Sequence, residues 1–218
     1  MREKKTAKVL DVVHVNESTY ILRLERNGFM FQAGQYLVLG IPGERKAREY
    51  SIFSGHDEPY LDLLIKEIED GEVSKELKIA KKGTPLQISG PYGAFVLNEQ
   101  IRIQNRPIIF VATGTGISPF RSMIKSYPSL RCKVIHGIRY SEESYPKEDF
   151  PEGSYFSCTS RDALGDYHGR VTDYLAEHGV DEGAFYYLCG NSAMVSDVIE
   201  LLENKGLPAS QIKTETFF

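Results

Sequence analysis

The sequence predicts two domains of different class: a six-stranded antiparallel β-barrel over residues 1–103 and an α/β domain with a parallel sheet over residues 104–218. Three observations carry the prediction. The first half breaks into short β-rich runs separated by turn signals. The second half alternates continuous apolar runs with stretches of helical period. A polar stretch over residues 97–105 stands between the two patterns, just before the first buried strand. Many short strands in about 90 residues suit a small barrel, whereas strands alternating with helices imply right-handed crossovers and a parallel sheet.

The strand candidates of the first half are Ala7–Val15, Thr19–Glu25, Gln35–Ile41, Glu49–Phe53, Tyr60–Ile68 and Pro85–Ser89. Asn27-Gly28, Ala33-Gly34 and Pro42-Gly43 punctuate them. Tyr20, Leu22 and Leu24 alternate with Ile21, Arg23 and Glu25, the pattern of a strand with one buried face. One helical segment interrupts the strands, with Val73, Leu77 and Ile79 set among Lys75, Lys78, Lys81 and Lys82.

In the second half, Pro107–Ala112 (PIIFVA) is apolar throughout, the mark of a strand buried on both faces. A glycine turn follows it, then a helix to about Ser126. Lys133–Gly137, Tyr155–Thr159 and Ala184–Cys189 are further strands, and Val171–His178 a helix. Over Asn191–Lys205 the residues Met194, Val195, Val198, Leu201 and Leu202 fall on one helical stripe, with Gly206 just past its end as a C-cap.

Composition narrows the function. Hydrophobic residues make up 41% and charged residues 26%, enough for a packed core. Lys+Arg 26 against Asp+Glu 30 gives a net charge of −4, which argues against general nucleic-acid binding. No apolar run approaches the roughly 18 residues of a membrane span, and MREKKTAK lacks the apolar stretch of a signal peptide. The expected location is the cytoplasm. Cys132, Cys158 and Cys189 are odd in number, widely spaced and free of any C-x-x-C pair. No metal site is expected from them, and an iron–sulfur cluster usually needs four thiolates. An electron carrier here would be an organic cofactor or a separate partner.

Five segments carry candidate chemistry. Thr113-Gly114-Thr115-Gly116-Ile117-Ser118-Pro119-Phe120 follows a buried strand and opens a helix, where glycines admit a phosphate to backbone N–H groups; a plain tight turn fits equally. Arg48-Glu49-Tyr50-Ser51 places a guanidinium and a phenol ring on one strand face and a hydroxyl on the other, suited to a phosphate, a flat ring and a hydrogen bond, or to an ordinary barrel strand. Gly71-Glu72-Val73-Ser74 opens the barrel's helix, as a phosphate turn or as simple capping. Cys189-Gly190 ends an apolar strand, where a thiol is either core or poised beside a ligand. Arg139, Ser160-Arg161 and Arg170 lie near strand ends or a helix start, able to grip an extra phosphate or simply solvated.

Taken in chain order these segments resemble the ferredoxin–NADP⁺ reductase family, in its bacterial-like form. The family's R-x-Y-S reads Arg48, Tyr50, Ser51; G-x-x-S reads Gly71, Ser74; G-T-G-I-S-P-F reads Gly114 to Phe120; C-G-x-x-x-M reads Cys189, Gly190, Met194; and the aromatic end reads Phe217, Phe218. The resemblance implies the ferredoxin reductase-like fold and a barrel that binds FAD. Arg48 and Ser74 would hold its pyrophosphate, with Gly71 and Val73 in the same turn. Tyr50 would pack on the isoalloxazine, and Ser51 would hydrogen-bond near N5. Thr113, Gly114, Thr115 and Gly116 would take the phosphates of NADP(H), with Cys189 and Gly190 at the nicotinamide. A terminal aromatic, Phe217 in preference to Phe218, would cover the flavin. Glu215 joins Ser51 as a candidate in the proton path. Ser160, Arg161, Arg139 and Arg170 match the contacts of NADP-preferring members, so NADP is expected over NAD.

The implied activity is that of a ferredoxin/flavodoxin–NADP⁺ reductase, with Ser51, Cys189 and Glu215 as catalytic candidates. The electron partner would be a ferredoxin or flavodoxin. Arg45, Lys46, Lys75, Lys78, Lys81 and Lys82 offer either a basic docking surface or a set of solvated lysines. The alternatives are an NAD(P)H:flavin reductase, the reductase component of an oxygenase, and a non-catalytic nucleotide- or flavin-binding regulator.

Overall fold

The computed structural model describes residues 5–43 and 46–217. The first strands are β1 (Lys5–His14), β2 (Thr19–Glu25), β3 (Tyr36–Gly40), β4 (Ala47–Ser51) and β5 (Tyr60–Lys66), followed by α1 (Glu72–Lys78) and β6 (Pro85–Tyr92). Then come α2 (Glu99–Ile103), β7 (Ile108–Thr113), α3 (Ser118–Ser126), β8 (Cys132–Ile138), β9 (Tyr155–Thr159), β10 (Tyr167–His168) and α4 (Val171–His178). The last elements are β11 (Phe185–Asn191), α5 (Ser192–Asn204) and β12 (Ile212–Phe217). The chain divides into two compact units, Met1–Val96 with Ser118–Ser126, and Leu97–Ile117 with Tyr127–Phe218.

The first unit holds a six-stranded antiparallel sheet in the order β4-β3-β6-β1-β2-β5. A bridge between Ile52, the residue after β4, and Leu63 of β5 brings the two outer strands together, so the sheet closes on itself as the predicted barrel. Tyr20, Leu22 and Leu24 point into its core with Leu37, Leu39, Leu61 and Leu63, as the period-two pattern requires. Full burial of such side chains contributes about 1.5–3 kcal/mol each. Strand β5 departs from alternation: Asp62 is buried too, and both its carboxylate oxygens accept from Arg23 at 2.8 Å. Helix α3 is nearly all buried in this unit. Its Ser122 hydroxyl donates to the Ser54 carbonyl at 2.7 Å and its Arg121 guanidinium to the Phe53 carbonyl at 3.0 Å.

The second unit holds a six-stranded parallel sheet in the order β10-β9-β8-β7-β11-β12. Progression from β7 runs outward through β8 and β9, then reverses to β11 and β12. The strand order therefore switches direction between β7 and β11, and the carboxyl ends of that pair are where open α/β sheets bind ligands. Met194, Val195, Val198 and Leu202 of α5 are buried in the core with Val111, Ile135 and Leu188; Leu201 lies at its border. Gly206, at φ 86°, follows the helix end as expected.

Three elements were not anticipated. The polar stretch before β7 contains α2, whose N-cap Asn98 accepts through its side chain from the Gln100 and Ile101 N–H groups. Strand β12 forms the parallel edge beside β11, from Tyr186↔Ile212 to Asn191↔Phe217. The two-residue strand β10 pairs with β9.

Candidate functional site

Strand β4 is an outer strand, and it carries Arg48, Tyr50 and Ser51 opposite Leu39, Leu37 and Tyr36 of β3. Arg48 is exposed, Tyr50 half-buried and Ser51 buried. Burial raises the Tyr50 phenol to about 12, with the Arg48 charge opposing the rise. Just before β4, Lys46 forms an ion pair with Glu72, the first residue of α1. The Lys46 hydrogen bond holds the Glu72 carboxyl below its usual range, and the Arg48 charge contributes. Arg48 therefore lies within electrostatic reach of the α1 N-terminus.

That N-terminus begins at Gly71, and among the described residues no side chain caps its first-turn N–H groups. Ser74 is buried, and its hydroxyl accepts from the Ile68 N–H at 3.2 Å and donates to the Gly71 carbonyl at 3.4 Å. The hydroxyl is drawn into the preceding loop and does not cap the helix, unlike in the capping alternative. Val73 points into the barrel core, leaving only its backbone on the turn. The Ser74 carbonyl accepts from Tyr20 of β2 at 2.5 Å. Arg48, Tyr50 and the Gly71–Ser74 turn thus share one region of the first unit.

In the second unit the ends of β7 and β11 are fastened together. The Asn191 N–H donates to Thr113 Oγ1 at 3.0 Å. A Cβ at Gly190 would stand 2.3 Å from that oxygen, and one at Gly116 would stand 2.3 Å from the Cys189 carbonyl. Backbones approach this closely only without side chains. Gly114 differs: a Cβ there meets nothing within 4 Å, but its φ of +53° lies in the left-handed region. The turn Thr113-Gly114-Thr115-Gly116 sits at the sheet's switch point, as do Cys189 and Gly190.

Cys189 is fully buried and pairs with Ala112 of β7 and Glu215 of β12. Burial raises its thiol well above the ordinary value, and the Glu215 charge adds to the rise. Glu215 and Phe217 are half-buried on β12; Phe218 lies outside the described residues. The predicted arginines come from adjacent loops at the carboxyl ends of β8 and β9. The Arg161 N–H donates to the Arg139 carbonyl at 2.9 Å, and the Ser160 N–H to the Ile138 carbonyl at 3.1 Å. The Gly169 N–H donates to the Thr159 carbonyl at 2.9 Å, which brings Arg170, N-cap of α4, to the same end of β9. All three guanidinium-bearing residues are exposed.

Family models match both halves of the chain. Residues 6–97 match the oxidoreductase FAD-binding domain and residues 110–200 the oxidoreductase NAD-binding domain. Ferredoxin–NADP reductase B of Sorangium cellulosum (strain So ce56) is 31% identical over 221 residues, covering 89% of this chain and 88% of that protein. The chain belongs to the ferredoxin–NADP reductase family. It is an oxidoreductase with an FAD-binding and an NAD-binding domain. The toluate 1,2-dioxygenase electron transfer component of Pseudomonas putida is 28% identical over 228 residues, covering 97% of this chain but 67% of that protein. The crystal structure of a ferredoxin NADP⁺ reductase from Neisseria gonorrhoeae with bound FAD and NADP shares the fold, with a TM-score of 0.87, 22% identity and full coverage of both chains.

Within this family fold, sequence reasoning missed two residues. His136 is completely buried on β8, its Nε2 2.8 Å from the Gly114 carbonyl and its Nδ1 2.8 Å from the Tyr155 hydroxyl. Asp162 accepts from the Ser141 N–H at 2.7 Å and so ties the loop of Arg161 to that of Arg139. The only signal for either was a polar residue inside or just after an apolar run. The docking lysines also look different in the structure. Lys46 is paired with Glu72 and Lys78 with Glu67, while Lys75 donates to the Glu69 carbonyl; Arg45 lies outside the described residues. Among the described residues no helix is long and apolar enough to cross a membrane.

Proposed function

We propose that the chain is a ferredoxin/flavodoxin–NADP⁺ reductase, passing electrons between NADPH and a one-electron protein carrier through bound FAD. The observation that supports it best is the 31% identity to a ferredoxin–NADP reductase over nearly the whole of both chains.

The residues present fit both cofactors. In the first unit, uncapped N–H groups of α1 lie beside the Arg48 charge, a donor set for an anionic pyrophosphate. In the second, the Gly116 and Gly190 backbones leave no room for side chains at the switch point, and three exposed arginines gather near the ends of β8 and β9. Arg48 and the Gly71–Ser74 turn would hold the FAD pyrophosphate. Tyr50 offers a flat apolar face, and Ser51 a hydroxyl on the opposite side of β4. Bound FAD supplies a ring that accepts two electrons as a hydride and releases them singly. Thr113 to Gly116 would seat the nucleotide phosphates, and Ser160, Arg161, Arg139 and Arg170 would recognise the 2′-phosphate. Cys189 stays protonated at neutral pH and acts as a neutral packing and donor group at the nicotinamide, not as a nucleophile. Glu215 is the candidate proton carrier, and Phe217 the terminal aromatic.

The likeness to dioxygenase and monooxygenase reductase components supports a second reading, in which the electron acceptor is an oxygenase partner. One experiment separates the readings. The purified protein is expected to be yellow and to bleach on anaerobic addition of NADPH. Rapid reoxidation by ferredoxin or flavodoxin, with FAD retained, supports the first reading; retained FAD with no reoxidation by either carrier supports the second. Release of reduced flavin into solution supports a flavin reductase. A colourless protein that takes up no FAD overturns all of them.

A further inference from the structure

A carbonyl oxygen can only accept, so the 2.8 Å contact between His136 and Gly114 requires the proton on Nε2. Burial keeps the imidazole neutral, with its pKa lowered to about 4. Nδ1 is then an acceptor, and the Tyr155 hydroxyl, 2.8 Å away, donates to it. That hydroxyl takes a hydrogen bond in turn from the Tyr145 backbone N–H. The chain of bonds runs in one direction, from the Tyr145 peptide through Tyr155 and His136 to Gly114. Tyr145 and Tyr155 pack against the imidazole at centroid distances of 5.7 and 5.9 Å, so the ring cannot turn freely.

The far end of this chain is the left-handed glycine of the phosphate turn. Glycine imposes no side-chain preference, so Gly114 itself does not select one orientation of the Gly114–Thr115 peptide. In a trans peptide the carbonyl and the following N–H point in opposite directions. Fixing the Gly114 carbonyl against His136 therefore fixes the direction of the Thr115 N–H.

We propose that His136 is a positioning residue for the pyridine nucleotide: its Nε2–H holds the Gly114–Thr115 peptide in the orientation that receives the nucleotide phosphates. The inference rests on the reading of this turn as the NADP(H) site. It adds a residue 22 positions from the turn, buried and out of reach of the nucleotide.

Glutamine and asparagine divide the two nitrogens of histidine. Glutamine can place an amide N–H where Nε2 stood; asparagine reaches only the Nδ1 position. NADP⁺ binding is measured by calorimetry on the FAD-loaded protein, with melting temperatures in parallel. His136→Gln is expected to bind within about threefold of wild type, and His136→Asn at least tenfold more weakly, at similar melting temperatures. A merely structural role would not separate two variants of equal stability. Tyr155→Phe keeps the imidazole but removes its tautomer-setting donor; several-fold weaker binding and a mixed tautomer in the ¹⁵N spectrum of the ring are expected. If His136→Asn does not fold, that variant decides. His136→Asn binding like wild type, or Tyr155→Phe leaving both affinity and tautomer unchanged, overturns the proposal. Wild-type protein that takes up FAD but neither NADP⁺ nor NAD⁺ overturns the nucleotide reading beneath it.

Discussion

Tyr20 donates its phenolic hydroxyl to the Ser74 carbonyl oxygen at 2.5 Å, across 54 residues of sequence. The bond joins a core strand of the barrel to the first turn of α1, where the FAD pyrophosphate is proposed to sit. Tyr20 is fully buried, and Tyr20→Phe removes its hydrogen bond to a carbonyl that keeps its partner within the helix. A net intramolecular hydrogen bond contributes about 0.5–1.5 kcal/mol. Urea unfolding is expected to show that loss, and flavin fluorescence a several-fold rise in the FAD dissociation constant. Unchanged values in both would detach Tyr20 from the flavin site.

Two glycines in one turn should fail for different reasons. Gly116→Ala sets a Cβ 2.3 Å from the Cys189 carbonyl, a clash with backbone that only movement of β11 relieves. Overpacking of this kind costs about 1–3 kcal/mol. Gly114→Ala meets open space and pays only for its left-handed φ, about 1–2 kcal/mol. Asparagine tolerates that φ, so Gly114→Asn is expected to melt close to wild type while Gly116→Asn does not. Equal melting temperatures for the two asparagine variants would contradict the assignment.

The physical reason these features differ in legibility is range. The alternation of Tyr20, Leu22 and Leu24 is local, so strand β2 could be read to the residue, and the apolar run before Cys189 marked β11 as a buried strand. The arginine loops were legible because strand ends in a parallel sheet share one side. What escaped depends on partners distant in sequence. Helix α2 rests on the Asn98 cap and a single buried Ile101 inside a polar stretch. Strand β12 reads as polar because it is an edge held by pairing with β11. The buried Arg121 faces the Phe53 carbonyl 68 residues away, and His136 bonds to a carbonyl in another loop; a lone polar residue in an apolar pattern names no partner.

Cys189 should be chemically quiet yet kinetically sensitive. Burial and the neighbouring Glu215 keep its thiol protonated well above pH 9. Native protein is therefore expected to resist alkylation at Cys189 at pH 8 and to react fully once unfolded, with mass spectrometry as the readout. If it packs at the nicotinamide as proposed, Cys189→Ser keeps FAD and slows NADPH-dependent flavin bleaching tenfold or more in stopped flow. An unaltered bleaching rate would return it to the core.

Arg161 tests the choice of nucleotide. Its guanidinium lies 5.9 Å from the Tyr140 ring, at the mouth of the loop that Asp162 anchors. A charge-assisted contact to the 2′-phosphate is lost in Arg161→Ala, while the ribose hydroxyl of NADH never made it. The ratio of kcat/KM for NADPH over NADH is expected to fall at least tenfold, and the effect to shrink as salt rises. A wild type that already favours NADH would contradict the arginine assignment.

His136 also gives the second unit a predictable response to acid. Its pKa is lowered from 6.5 to about 4 by burial, with the Gly114 carbonyl and Glu143 opposing the fall. Tyr145 and Tyr155, the other groups against the ring, stay neutral throughout this range, because burial raises both phenols. Between pH 6.5 and 4 the unfolded chain binds a proton that the folded chain refuses. Stability therefore falls as pH drops through that window, by roughly 3 kcal/mol at about 1.4 kcal/mol per pH unit, and is fully present only above it. Other groups titrate in the same range, so the informative quantity is a difference between variants. His136→Gln cannot take the proton, and its stability is expected to decline by roughly 2–3 kcal/mol less than wild type between pH 7 and 4.5. Urea midpoints at the two pH values measure this directly. Parallel declines in the two proteins would mean that Nδ1, opposite the Tyr155 hydroxyl, takes up its proton in the folded protein as readily as in the unfolded chain.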